Sequence, residues 1–156
     1  MGLDMYLYVR KYECCIRWGN DYDEKKVNFY PEELNVFEID KRNFMSKETQ
    51  YQIGYWRKAN AIHNWFVQNC ADGVDNCQTI YVSIEKAKEL RNLVNRVLEK
   101  HELASELLPT SDGFFFGSQE YDEWYFKDLE YTKELLDKVI ILVDGSDYDI
   151  VYEAGW

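Results

Sequence analysis

Residues 55–66, YWRKANAIHNWF, set Arg57, Lys58, Asn60, His63 and Asn64 between Trp56 and Trp65. These side chains could hold a nucleotide-like molecule. Arginine forks match phosphate oxygens, and lysine offers them a point charge. Asparagine amides read a base edge while indole rings stack on its face. Histidine adds a hydrogen bond, or acid–base chemistry near neutral pH.

The apolar spacing predicts a helix over 53–70. At about 100° per residue, Tyr55, Ala59, Ile62, Phe66 and Cys70 share one sector, with Trp56, His63 and Val67 beside it. Asn60, Arg57, Asn64 and Gln68 follow round one flank, and Lys58, Trp65 and Asn69 lie on the other. His63 therefore sits on the shoulder of the apolar side. It is either a buried histidine satisfied by a core partner or the rim of a cavity. The cavity is the reading adopted here, with Asn60, Arg57 and Asn64 as its polar wall.

A second cluster, LLPTSDGFFFGSQEYDEWY (107–125), carries three phenylalanines between Gly113 and Gly117. The glycines allow sharp turns at both ends of the run. The phenylalanines are then either a buried edge strand or a wall over a pocket, with Phe115 and Tyr121 as the opposing ligand-binding residues. Ser118 precedes a helix N-terminus, where anions are favoured. Asp122 and Glu123 compete for that position.

The catalytic motifs of common enzymes are absent: there is no glycine-rich phosphate loop, GxSxG or HExxH. No catalytic residue, metal site or cofactor is assigned. Cys14, Cys15, Cys70 and Cys77 have no zinc-ligand spacing and are expected to be reduced thiols. Cys70 and Cys77, which flank a Gly-Asp-Asn turn, leave a minor disulfide or metal alternative. Cys70 paired with His63 fails as a nucleophile and base, because seven residues separate them by about two helical turns.

The elements that must position these residues follow from periodicity. LDMYLYVRKY (3–12) alternates as a half-buried strand. WGNDYDEKK (18–26) is a polar turn region, and VNFY (27–30) and LNVFEID (34–40) are short strands. After the predicted helix, CADGVDNC (70–77) is a loop and TIYVS (79–83) a strand. Ser83 caps a helix running to about Lys100, whose apolar face holds Leu90, Leu93, Val94, Val97 and Leu98. A third helix runs from about Tyr121 or Asp122 to Leu142, and 148–156 is a closing strand that could pair with the first. The expected fold is α+β: a single domain over 1–156, a mostly antiparallel sheet and about three helices.

The chain has 156 residues, 29 acidic against 18 basic, and a net charge of −11, the wrong sign for general nucleic-acid binding. The aromatic share of 17% exceeds what one core requires, so some rings are expected to grip a partner. MGLDMYLYVR has no basic start followed by an apolar run, and no stretch approaches the ~20 apolar residues of a membrane span. A cytoplasmic location without membrane contact is expected.

MGLDMYL, YWRKANAIHNWF, LLPT…GFFFGS…YDEWY and the closing YEAGW resemble, in that order and over most of the chain, a family of small bacteriophage- and prophage-encoded proteins. The resemblance implies an accessory viral protein acting in a bacterial host cell, of the kind used for takeover or inhibition of anti-phage defence. One such strategy sequesters nucleotide-derived immune signals in oligomers with pockets near subunit contacts. The leading expectation is therefore a homo-oligomeric, non-catalytic binder of a small nucleotide-like ligand. Its binding residues are Trp56, Arg57, Lys58, Asn60, His63, Asn64, Trp65, Phe115 and Tyr121. One alternative is an enzyme that degrades such a signal with His63 as acid or base. Another is an acidic inhibitor of a host protein or nuclease, acting through Glu120, Asp122, Glu123, Asp128, Glu130, Glu134 and Asp137.

Overall fold

The computed structural model describes residues 2–14, 33, 36, 46–113 and 116–156. The fold is α+β, with one antiparallel four-stranded sheet in the order β2-β1-β4-β3. Strand β1 spans Asp4–Cys14 and β2 Ser46–Arg57. Helix α1 spans Asn60–Cys70, β3 Ile80–Val82 and α2 Ile84–Glu99. A 3-10 turn at His101–Leu103 leads into the short α3, Ala104–Leu107. Helix α4, Glu123–Val143, and β4, Tyr148–Gly155, complete the described elements. The chain divides into two compact units, Met1–Arg10 with Gln50–Trp156, and Lys11–Thr49. Within the second, Lys11 pairs with Glu13 at 3.8 Å. The predicted turn at 18–26 and strands at 27–30 and 34–40 lie outside the described residues.

The alternation of β1 is borne out: Leu3, Met5, Leu7 and Val9 are buried, and Asp4, Tyr6, Tyr8 and Arg10 between them are not. That buried row and the matching face of β4 form the floor of the core. β3 pairs antiparallel with β4, with Ile80 opposite Tyr152 and Val82 opposite Ile150. The first and last strands are neighbours inside the sheet.

Ser83 caps α2 by accepting from the Lys86 amide, and Asp122 caps α4 by accepting from the amides of Trp124 and Tyr125. Of the buried positions of α4, Tyr125, Leu129, Thr132, Leu136 and Val139 recur at three and four residues and make one core stripe, with Leu135 buried beside it. α2 contributes Ala87, Leu90, Val94 and Val97 to the same core.

One expectation is corrected. The predicted helix over 53–70 is two elements, because β2 continues to Arg57 and α1 starts only at Asn60. Lys58 adopts φ +63°, a left-handed conformation that ends the strand. Its amide donates to the Leu3 carbonyl at 2.8 Å, which holds the turn against β1. Gly54 explains part of this. A Cβ there would stand 2.3 Å from the Leu135 side chain of α4 and 3.3 Å from Leu7 Cβ, so strand and helix meet closely at a glycine. The helix count also differs from about three, since the short α3 follows α2.

Candidate functional site

His63, the residue at the centre of the sequence argument, is only 1% exposed. Its Nδ1 lies 2.7 Å from the Tyr152 hydroxyl and its Nε2 3.1 Å from Asp75 Oδ2. An ionised carboxylate only accepts, so Nε2 carries the proton and donates to Asp75. In the neutral ring, Nδ1 then accepts from the Tyr152 hydroxyl. Burial raises the pKa of that hydroxyl well above the ordinary tyrosine value, with Asp75 adding to the shift, so it stays a donor. Phe116 and Trp156 pack edge-on to the imidazole at 5.2 and 5.7 Å. His63 thus ties α1 to β4 inside the core and, at the core's edge, to the loop before β3.

A cavity of about 280 Å³ lies beside this cluster, where the β2–α1 turn faces the loop before α4 and the first turns of α4. Arg57, Lys58 and Asn60 line it from the turn. Thr110, Gly117, Ser118 and Glu120 line it from the loop. Asp122, Trp124, Tyr125 and Asp128 line it from the α4 side, over an apolar base that includes Ile62 and Leu129.

Asn60 builds this site without offering its own amide. Its Nδ2 donates to the carbonyls of Phe116 and Ser118 at 3.0 and 2.8 Å, and its Oδ1 accepts from the Ser111 amide at 3.2 Å. One buried side chain therefore pins both ends of the loop that forms the rim. Gly117, at φ +89°, is needed there, because a Cβ would come within 3.0 Å of Lys58 Cβ.

The cations are differently committed. Arg57 has a side chain 63% exposed and stands 4.0 Å from an Asp4 carboxylate oxygen, a loose pair. Lys58 makes no ion pair with any of the described residues; its backbone holds the left-handed turn. Backbone strain of about 1 kcal/mol or more at a non-glycine residue is common at ligand clamps.

Asp128 is half-buried on the cavity wall, and its carboxylate has no hydrogen-bond or ion-pair partner among the described residues. Burial pushes its pKa up to about 6, and the nearby Asp122 charge adds to the shift. The folded state therefore holds this proton more tightly than the unfolded chain. Asp128 costs no stability below about pH 4, and the cost grows through pH 6 and is complete above it. Asp128→Asn is expected to stabilise the protein at neutral pH by about 1–2 kcal/mol, after discounting for solvent contact. Urea melts at about pH 4 and 8 check this: the gain must appear only at the higher pH.

Trp124, 71% exposed, stands at the rim, with the Lys127 ammonium 4.6 Å from its ring centre. The α4 N-terminus is no anion site, because Asp122 already occupies its first amides. Of the residues selected from sequence, the structure brings Arg57, Lys58 and Asn60 to the cavity. Trp56, a β2 residue, is buried and donates from Nε1 to Thr132 Oγ1 at 2.9 Å. Trp65 is buried against Phe66. Asn64 is half-buried and does not line the cavity. Tyr121 packs on Tyr125 and anchors the loop near Thr110 instead of lining the cavity. Phe115 lies outside the described residues. Among the acidic residues, Asp137 is engaged by Arg91 and Lys133, and Glu123 by Lys127.

Trp124 and Asp128 were not in the sequence-derived ligand set, although a signal for them exists. They are four residues apart, on the shoulder of a helix whose next positions, Tyr125 and Leu129, are core. Among the described residues no helix is long and apolar enough to cross a membrane, and no cluster of three metal-ligating side chains occurs. Comparison with protein families, curated proteins and solved structures finds no match for this chain.

Proposed function

We propose that this protein binds a small nucleotide-derived molecule in the cavity beneath the β2–α1 turn and holds it without transforming it. The observation that carries the reading is the lining itself. Arg57 and Lys58, neither tightly paired, stand in one concave site with an indole wall and a carboxylate that has no partner among the described residues. Phosphate would meet the cations, and a base would meet Trp124 and Asp128. Mixed charge of this kind suits a ligand that is anionic at one end and rich in N–H donors at the other. With the resemblance to phage-encoded proteins, the role proposed is sequestration of a host immune signal in the bacterial cytoplasm, by a homo-oligomer.

Titration calorimetry against cyclic nucleotides, ADP-ribose derivatives and mononucleotides tests the reading. Arg57→Ala and Lys58→Ala are each expected to weaken binding about tenfold, the scale of one charge-assisted hydrogen bond. Ligand recovered from denatured protein should be chemically intact. Silence across the whole panel would sink the proposal, and a new product would replace it with an enzymatic one.

A further inference from the structure

We infer that Asp128 is a specificity-determining residue that selects a guanine-bearing ligand by accepting two hydrogen bonds from its Watson–Crick edge. The inference rests on the reading of the cavity as a nucleotide site and names the base it would take. An ionised carboxylate presents only acceptors, arranged in one plane. Guanine places two adjacent donors, N1–H and the 2-amino group, on one edge. Adenine sets an acceptor, N1, beside its single amino donor. Uracil flanks one donor with two acceptors, and cytosine sets one amino donor beside the N3 acceptor. Only guanine satisfies both carboxylate oxygens without facing an acceptor toward them.

The position of Asp128 gives this chemistry force. The side chain lies on the cavity wall and is partly withdrawn from water, with no partner among the described residues. A hydrogen bond to a charged, half-desolvated acceptor discriminates strongly, because the wrong base leaves the carboxylate unpaired. Trp124 lies one helical turn before Asp128 and supplies a stacking surface beside that edge. The other carboxylates are differently placed. Asp122 is occupied as the α4 cap, and Glu120 sits on the exposed rim loop. The charged and titratable groups sharing the cavity with Asp128 are Arg57 and Lys58 from the turn, Glu120 and Asp122 from the loop side, and Tyr125 from α4. Burial, and after it the Asp122 charge, oppose the ionisation of Asp128.

The test is calorimetry with GMP, IMP and AMP at about pH 7.5, on the wild-type chain and Asp128→Asn. IMP keeps N1–H and lacks the 2-amino group, so it is expected to bind about tenfold more weakly than GMP; AMP should be weaker still. Asp128→Asn should erase the order, and wild-type preference should fade as pH drops below about 6. Urea melts establish that the variant is folded. Equal affinity for the three nucleotides, or a preference that survives Asp128→Asn, overturns the inference and leaves the nucleotide-binding reading standing. Agmatine, a guanidine without phosphate, binding as tightly as GMP would also overturn it. If none of the three binds, the inference falls, and the wider panel decides the reading beneath it.

Discussion

Replacing His63 with alanine is expected to destabilise the protein by about 4–6 kcal/mol, a large share of the about 5–15 kcal/mol that holds a typical domain folded. Two losses combine. The emptied ring site removes contacts with Phe116, Trp156 and Tyr152. The Tyr152 hydroxyl, deep in the core, loses its acceptor, and Asp75 loses its donor. A pair of milder variants separates the terms. His63→Phe fills the site with a slightly larger apolar ring and should cost about 2–3 kcal/mol, through the orphaned hydroxyl and some overpacking. Adding Tyr152→Phe to His63→Phe should recover about 1 kcal/mol or more, because both polar ends are then gone. Urea melts of the single and double variants measure the cycle. A cost below about 1 kcal/mol for His63→Ala would contradict the core assignment.

Trp56→Ala is the second large effect, expected to cost about 3–5 kcal/mol. In the sequence reading this tryptophan stood on a helix beside a ligand. In the structure it is an inward-facing strand residue that packs edge-on to Phe66 and Tyr131. Its indole N–H donates to Thr132 Oγ1, and that hydroxyl donates to the Asp128 carbonyl. The chain of bonds joins β2 to α4 just beneath the cavity. Trp56→Phe keeps the ring and loses the bond, so it should cost only about 1–2 kcal/mol. Guanidinium melts following tryptophan fluorescence compare the variants. A surface helical tryptophan would show neither the large loss in alanine nor the partial rescue in phenylalanine.

The legible parts of the fold were those with a local cause. The alternation of Leu3, Met5, Leu7 and Val9 declares a strand because a sheet has one buried face. Ser83 and Asp122 mark helix starts because their side chains satisfy amides that the helix leaves open. Residues 53–59 misled for a physical reason. Their aromatic and aliphatic residues satisfy a helical period as well as a strand, and the evidence against the helix is distant. It lies in the Leu3 carbonyl that fixes Lys58 and in the Leu135 side chain against Gly54.

The site divides in the same way. Arg57, Lys58 and Asn60 were selected from residue chemistry, and all three line the cavity, though Asn60 spends its amide on the loop. The sequence by itself determined the α+β class, the capped helices, the buried face of the first strand and a cluster of nucleotide-compatible side chains. Those follow from periodicity and from side chains bonding to their own neighbours. Only the tertiary structure decided that His63 belongs to the core and Asp128 to the cavity. What surrounds them, Tyr152 beside the first and the β2–α1 turn across the cavity from the second, comes from parts of the chain far away in sequence. Burial and charge environment are properties of that assembly, and no local pattern encodes them.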